Sequence, residues 1–313
     1  MNKSKSQKQE VQARIKACTD QKSKRLNLSH FCLAELPTEL LELQWLEELD
    51  LGFCGLKYLP PWIGDFPNLK RLRLSGNFME YVPDKISRLS HLEELELTWN
   101  GLKEFPPAII TLPNLKSLYL SRNYIKYVPD EISQLSHLEK LDLAWNQLKE
   151  FPPGIITLGE LEYLALSKNK IQEIPSEISR LSQITRLDLR DNQITYLPKE
   201  ICLLHQLVVL DISFNKIQDL PPEIENLRTL EELDIGANKI RHLPPEIGKL
   251  SKLKTLYING NLIEYLPPTI SQLTNLVKSD IEELAFLHKG LDGLTYLSRR
   301  QINRREINNR YTP

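Results

Sequence analysis

The chain has 313 residues, of which 41% are hydrophobic and 26% charged, and its formal net charge is −1. These values indicate a soluble protein that can bury a sizeable core. No apolar run is long enough to cross a membrane, and the basic, polar start MNKSKSQKQEVQARIK predicts neither a signal peptide nor an anchor. The four cysteines, Cys18, Cys32, Cys54 and Cys202, lack paired or regular spacing, so we expect free thiols and a cytoplasmic location.

Charge is unevenly distributed along the chain. Residues 1–25 contain eight Lys and Arg and residues 296–313 contain five Arg, which leaves an acidic excess of eleven between the two ends. Basic ends can contact nucleic acid or acidic lipid, but short charged termini are more often solvated tails. Because the body is acidic, we do not expect a phosphate backbone to be the main ligand.

The first predicted element is a basic helix within residues 1–25. The segment EVQARIKACTDQKSK places Val11, Ile15 and Cys18 at helical spacing, which predicts one apolar face. Because the first unit of a repeat array has no preceding neighbour to pack on, we expect this helix to cap the residues that follow.

Residues 26–275 repeat with a period of 23. Proline recurs at this interval from Pro37 to Pro267, and asparagine stands six residues before nine of these prolines, from Asn77 to Asn261. The unit is LxxLxLxxNxLxxLPxxIxxLxx, and the stretch LELTWNGLKEFPPAIITL returns 46 residues later as LDLAWNQLKEFPPGIITL. An unbroken period of this length predicts a solenoid.

This motif resembles leucine-rich repeat proteins with 23-residue repeats. The LPxxI form is similar to the repeats of Ras-suppressor-like, Erbin- and Scribble-like and plant intracellular Ras-group proteins, and to those of effectors that bacterial pathogens secrete. The resemblance implies an α/β solenoid, a horseshoe of about eleven repeats with a parallel sheet on its concave face. It also implies that partner proteins bind that face.

The residues of the repeat support the same architecture. In L-x-L, two leucines point to one side and the residue between them to the other, which predicts a short strand with one buried face. The asparagine can bond to backbone groups that the following turn leaves unpaired, so in register these residues form a ladder. The proline then opens a short helical or 3-10 segment on the convex side.

Residues 276–313 are predicted to be a C-terminal cap and basic tail. Ser279-x-x-Glu282 matches a capping box, and Gly290 is a suitable helix stop. The last stretch, LTYLSRRQINRREINNRYTP, either extends this cap or is disordered.

The repeats contain no convergent catalytic cluster. His91 and His137 occupy equivalent repeat positions, which duplication explains better than a metal pair does. Cys32 lies near His30, but nothing marks an oxyanion site beside them. There is no P-loop or kinase signature, and leucine-rich repeat enzymes carry their catalytic domain outside the repeats. We therefore expect no enzymatic activity, catalytic residue, metal or cofactor.

The candidate partner-binding residues occupy variable positions on the predicted concave face. Trp99 and Trp145 should project from the core two repeats apart, with Tyr119, Arg122 and Tyr124 between them, a composition typical of an interface hot spot. The alternative is that the rings lie flat over neighbouring repeats and only shield the sheet. The full candidate set is Phe53, Arg73, Glu96, Trp99, Tyr119, Arg122, Asp142, Trp145, Tyr163, Asp188, Arg190, Asp211, Phe214 and Asp234.

Charges in these positions follow two patterns. Glu94 and Glu96 follow Arg71 and Arg73 by one repeat, so cross-strand ion pairs can neutralise them. Asp188, Asp211 and Asp234 instead form a column of like charge. Arg186 and Arg190 can neutralise the first of them, and a basic segment of the partner is predicted to neutralise the rest.

The sequence thus predicts a monomeric protein-binding module. It would act as a signalling scaffold or adaptor in its own cytosol, or as a bacterial effector in the cytosol of a host cell. The alternative is an RNA- or ribosome-binding module that uses the basic termini, and steep salt dependence would distinguish it.

Overall fold

A computed structural model describes residues 2–33 and 35–281, and these divide into two compact units between Gln172 and Glu173. The capping-box residue Glu282, the predicted stop Gly290 and the basic tail lie outside the described residues.

The first unit begins with helix α1, Asn2–Gln21, as the sequence predicts. Val11, Ile15 and Cys18 are buried on its inner face. The helix ends in a Schellman motif, since Lys22 has a φ of 50° and the Ser23 N–H donates to the Cys18 carbonyl at 3.0 Å.

Seven three-residue strands follow in the first unit, and consecutive strands pair in parallel. The central leucines stand opposite one another, as Leu118 does to Leu141, so the 23-residue period of the sequence is also the register of the sheet. The strands are β1 Arg25–Asn27, β2 Glu48–Asp50, β3 Arg71–Arg73, β4 Glu94–Glu96, β5 Ser117–Tyr119, β6 Lys140–Asp142 and β7 Tyr163–Ala165.

The second unit continues the same pattern with parallel pairing of its consecutive strands. Its last strand is formed by residues that follow the last full repeat of the sequence pattern. The strands are β8 Arg186–Asp188, β9 Val209–Asp211, β10 Glu232–Asp234, β11 Thr255–Tyr257 and β12 Lys278–Ser279.

Each return segment is a five-residue 3-10 helix that directly follows a repeat proline with extended φ and ψ, for example Pro106. Proline suits this position because its fixed φ starts the turn and its missing N–H is not needed there. The 3-10 helices are Thr38–Glu42, Pro61–Asp65, Asp84–Arg88, Pro107–Thr111, Asp130–Gln134 and Pro153–Thr157 in the first unit, and Ser176–Arg180, Lys199–Leu203, Pro222–Asn226, Pro245–Lys249 and Pro268–Gln272 in the second.

The core lies between the strands and the 3-10 helices. The repeat leucines and isoleucines are buried there, and Asn77, Asn100, Asn123, Asn146 and Asn169 are buried beside them in the first unit. The predicted asparagine ladder is present. In each of these five residues the Nδ2 group donates both to a carbonyl of its own repeat and to one of the preceding repeat.

Candidate protein-binding surface

Two sets of exposed positions flank the buried leucines. We call the solvent-facing side of the strands the open face, and the residues that immediately precede the asparagine position the turn column. The turn column is His30, Phe53, Gly76, Trp99, Arg122, Trp145 and Lys168 in the first unit, and Asp191, Phe214, Ala237 and Gly260 in the second.

Every residue of the turn column has a left-handed backbone, with φ between 52° and 72°. This turn directs the following asparagine into the core, while the backbone N–H of the turn residue bonds to the next repeat. The Trp145 N–H, for example, donates to the Ser167 carbonyl at 2.7 Å. For an L-residue other than glycine this conformation costs roughly 1–2 kcal/mol. Only Gly76 and Gly260 avoid that cost.

The first part of the turn column carries an aromatic cluster. The His30 and Phe53 rings are stacked at 4.9 Å, and Phe53 meets Trp99 edge-on at 5.9 Å between ring centroids. Gly76 lies between these two repeats, and a Cβ there would come within 2.4 Å of the Phe53 ring. The absence of a side chain at Gly76 therefore allows rings two repeats apart to touch.

Trp145 carries a second cluster. The Arg122 guanidinium lies 4.5 Å from its ring centroid and the Lys168 ammonium 5.1 Å from it, both at cation–π distance. Trp99 is 59% exposed and Trp145 47% exposed, so both duplicated tryptophans lie outside the core. The rings thus touch neighbouring repeats and still present a large area to solvent.

The charges on β2 to β4 pair with one another, as their alternating sign predicts. Arg71 contacts Glu48 and Glu94, and Arg73 contacts Glu94 at 3.0 Å and Glu96 at 3.7 Å. Arg73 and Glu96, both candidate site residues, are therefore partners within the protein. Such half-exposed pairs contribute little stability individually, but they neutralise this part of the open face.

The aspartates at the ends of the strands bind their own backbone. Asp142 Oδ1 accepts the Ala144 N–H at 2.9 Å, and the equivalent atoms of Asp188, Asp211 and Asp234 each accept the N–H two residues further on. This is the geometry of an Asx turn, in which a short carboxylate satisfies a donor that the strand end leaves open. The acidic column therefore has a structural role besides the predicted contact with a basic segment.

Asp234 is the most perturbed of these carboxyls. Partial burial and the neighbouring Asp211 raise its pKa to about 7, and Asp280 adds to this effect. The bond from the Gly236 N–H and the charge of Arg190 lower the pKa, but by less. Burial also raises the pKa of Asp142. Like charges close together in the second unit thus remain a feature of the structure, as the sequence predicts.

The other candidate residues lie at or near the open face. Tyr119 and Tyr163 are half-buried on β5 and β7. In the second unit the Arg190 guanidinium lies 4.7 Å from the Phe214 ring centroid, which repeats the Arg122–Trp145 arrangement.

A second row of exposed aromatic residues was not predicted from the sequence. In the first unit, the position two residues before the repeat proline holds the exposed tyrosines Tyr58, Tyr81 and Tyr127, and Phe78, three residues before Tyr81, is exposed as well. The sequence does contain a signal for this row, because tyrosine recurs at the same position of the 23-residue unit, including Tyr196 and Tyr265 in the second unit.

Neither histidine of the duplicated SHLE segments joins a metal-ligand cluster. His137 Nδ1 contacts Glu160 at 3.3 Å and His91 Nδ1 contacts the Ser90 hydroxyl, and across residues 2–33 and 35–281 no three His, Cys, Asp or Glu side chains are grouped to hold an ion. Among the helices in that part of the chain, none combines the length and apolar character needed to span a bilayer.

Comparisons with known proteins place these features in a family. A leucine-rich repeat region model matches residues 156–238, and a second leucine rich repeat model matches residues 90–148 and 228–278. Both models describe repeats and neither describes an enzyme. A comparison with curated proteins gave no significant match.

Solved structures from bacteria and plants share the fold. A leucine-rich repeat protein of Leptospira interrogans is 33% identical with a TM-score of 0.66, over 89% of this chain and 83% of that one. The ectodomain of the Arabidopsis thaliana receptor kinase GASSHO1/SCHENGEN3, solved in complex with CASPARIAN STRIP INTEGRITY FACTOR 2, is 27% identical with a TM-score of 0.69, over 78% of this chain and 34% of that one.

A Listeria monocytogenes internalin, InlF, matches in fold alone, at 21% identity and a TM-score of 0.65 over 86% of this chain and 93% of that one. The repeat motif, the asparagine ladder, the family models and the Leptospira relative agree, and the chain belongs to the leucine-rich repeat proteins.

Proposed function

We propose that this chain is a protein-binding module, and that the open face and the turn column of its first unit form the binding surface. The observation that carries the proposal is the presence of Phe53, Trp99 and Trp145 at left-handed backbone positions. Glycine adopts this conformation without the cost that these residues incur, and it stands in the same column at Gly76 and Gly260.

The contacts of the tryptophan rings do no more than balance this cost. The rings lie outside the leucine core, and the two cation–π contacts of Trp145 contribute about 0.5–1 kcal/mol each at an exposed site. Exposed Trp flanked by Arg is typical of binding hot spots, where a few such residues supply most of the affinity. Recognition therefore explains both tryptophans of the duplicated stretch better than shielding does.

The relatives support a protein or peptide as the ligand. The Arabidopsis relative was solved with a bound factor, and leucine-rich repeats typically serve as protein-interaction modules. The chain would act as a monomeric scaffold or adaptor of signalling in its own cytosol, or as a bacterial effector in the cytosol of a host cell. Asp211 and Asp234 would receive a basic segment of the partner.

The test is a paired Trp99→Gly and Trp145→Gly variant. Glycine relieves the left-handed strain while removing the rings, so we expect the unfolding free energy to change by less than about 1 kcal/mol. A partner captured from lysate and then purified should bind the variant with at least ~30-fold lower affinity, the scale of a 2 kcal/mol hot spot.

The matched control is Ala237→Gly, which relieves the same backbone strain without removing a ring. It should leave the affinity unchanged. If the variant that lacks both tryptophans also binds the partner with unchanged affinity, the proposal is wrong. If the captured fraction is RNA that dissociates steeply with added salt, the nucleic-acid alternative is correct instead.

A further inference from the structure

We propose that the open face at β5 and β6 binds an acidic peptide segment, an inference that rests on the proposed protein-binding function and names the chemistry of its ligand. The patch consists of Tyr119, Arg122, Lys140 and Trp145, which we call the basic patch. The acidic ligand proposed for this patch is opposite in charge to the basic segment that the acidic column of the second unit predicts.

The basic patch begins where internal charge pairing ends. On β2 to β4 the arginines Arg71 and Arg73 are matched by glutamates of neighbouring strands. Arg122 and Lys140 are both exposed, and neither forms an ion pair with any residue in the described ranges. The open face therefore changes from neutralised to positive between β4 and β6.

Asp142 is the acid that lies between these two cations, opposite Tyr119. It is half-buried, and its Oδ1 accepts the Ala144 N–H at 2.9 Å, so it belongs to the turn at the end of β6. Burial raises its pKa, while the bonds from Ala144 and Ser121 and the nearby charge of Arg122 lower it. Because one carboxylate stands against two cations, this part of the open face keeps a net positive charge.

The geometry of Arg122 suits a carboxylate. Its guanidinium lies over the Trp145 ring at 4.5 Å, and stacking of this kind restrains the side chain while its N–H groups point along the plane of the guanidinium. A planar, restrained guanidinium can donate two parallel hydrogen bonds to a carboxylate, and less rotamer entropy is lost on binding. Trp145 supplies apolar area beside that contact.

Lys140 and Tyr119 extend the same surface across two strands. Lys140 stands opposite Ser117 and Tyr119 opposite Asp142 in the parallel register, so small and half-buried neighbours leave the lysine accessible. Arg122 lies five residues beyond Ser117, the register partner of Lys140, so the two cations are offset by roughly 15 Å along the strand direction. Acidic residues about five positions apart in one extended segment can therefore meet both cations. A basic segment would be repelled from this patch.

The probes are a random Glu–Tyr copolymer, a Lys–Tyr copolymer and oligouridylate. The full chain should bind the Glu–Tyr copolymer in preference to the other two, as measured by calorimetry and by the change in total tryptophan fluorescence. A variant with Arg122→Glu and Lys140→Glu should lose at least about tenfold in that affinity, since charge complementarity becomes repulsion.

The matched control is Lys216→Glu with Lys239→Glu, two exposed lysines outside the patch whose reversal changes the net charge equally. The control should retain the affinity within about twofold. Equal losses in the two variants, a preference for Lys–Tyr, equally tight oligouridylate binding, or no binding of Glu–Tyr would each overturn the inference. If the acidic-ligand inference fails in one of these ways but binding of the natural partner still depends on Trp99 and Trp145, the proposed protein-binding function stands.

Discussion

Replacing Asn146 by leucine tests the hydrogen bonds that hold successive repeats together. Asn146 is only 8% exposed, and its Nδ2 group donates to the Leu120 and Leu143 carbonyls at 3.0 Å each. Its Oδ1 accepts the Ile125 N–H, also at 3.0 Å. Leucine has the same number and branching of side-chain heavy atoms and is somewhat larger, so the change removes these bonds without opening a cavity.

The expected cost follows from which groups are left without a partner. The Leu120 carbonyl keeps a bond from Asn123, and the Leu143 carbonyl keeps one from Asn169. The Ile125 N–H has no second acceptor among the described residues and becomes a buried unpaired donor. One such group costs about 1–3 kcal/mol, so we expect that loss rather than the sum of all the removed bonds.

Denaturant unfolding followed by circular dichroism measures the global change, and hydrogen exchange at the Ile125 amide measures the local one. Lys149→Leu, on the exposed side of the same repeat, should change the unfolding free energy by less than about 0.5 kcal/mol. Asn146→Cys should be intermediate, because Cys54 occupies the equivalent position and donates its thiol to the Leu28 carbonyl at 3.0 Å.

Equal unfolding free energies for Asn146→Leu and Lys149→Leu, with the Ile125 amide still protected from exchange, would refute this account of the ladder.

Three further predictions concern the turn column and the charges. Gly76→Ala and Gly55→Ala both place a Cβ at positive φ and should each cost about 1 kcal/mol in unfolding free energy. Only the Cβ of Gly76→Ala meets Phe53, so only this variant should displace the ring and change its stacking with His30 in nuclear magnetic resonance spectra. Asp234→Asn should raise the unfolding free energy by about 1–3 kcal/mol at pH 8 and leave it nearly unchanged at pH 4. The folded pKa of about 7 lies above the usual value, so the folded state keeps its proton longer and wild-type stability falls as pH rises from about 4 to 7. Exposed Asp219→Asn is the control, and an equal gain at both pH values would contradict the assignment. Glu94→Gln, which removes the shared partner of Arg71 and Arg73, should cost less than about 1 kcal/mol at low salt and less still at high salt, and a loss independent of salt in denaturant unfolding would show that the pairs act through packing instead.

The repeat, the strands and the ladder could be predicted because each depends on local pattern and an unbroken period. Strand geometry alone points both leucines of an L-x-L triplet inward and the residue between them outward. A period without insertions then fixes the register, as Leu118 opposite Leu141 shows. The helix over Asn2–Gln21 was equally predictable, because Val11, Ile15 and Cys18 define one apolar face.

The candidate site was less predictable because its chemistry depends on backbone angles and on internal partners. Sequence position indicated that Asp142 and Asp211 carry charge near the sheet, but not that each carboxylate accepts an N–H two residues further on. The left-handed angle of Trp99 and Trp145 had only an indirect signal, the glycines Gly76 and Gly260 in the same column. Ring contacts across a glycine, such as Phe53 with Trp99, require coordinates.

The duplicated Trp-Asn pairs join these two roles at adjacent residues. The left-handed turn at Trp99 or Trp145 directs the next residue, Asn100 or Asn146, into the core, where its amide bonds to two repeats. The same turn presents the tryptophan to solvent. Because the asparagine supplies the stability and the backbone angle is fixed by the turn, the preceding side chain is free to vary, and histidine, phenylalanine, arginine and lysine all occupy that column in the first unit. Binding specificity in this solenoid can therefore change at the turn column while every asparagine keeps its hydrogen bonds.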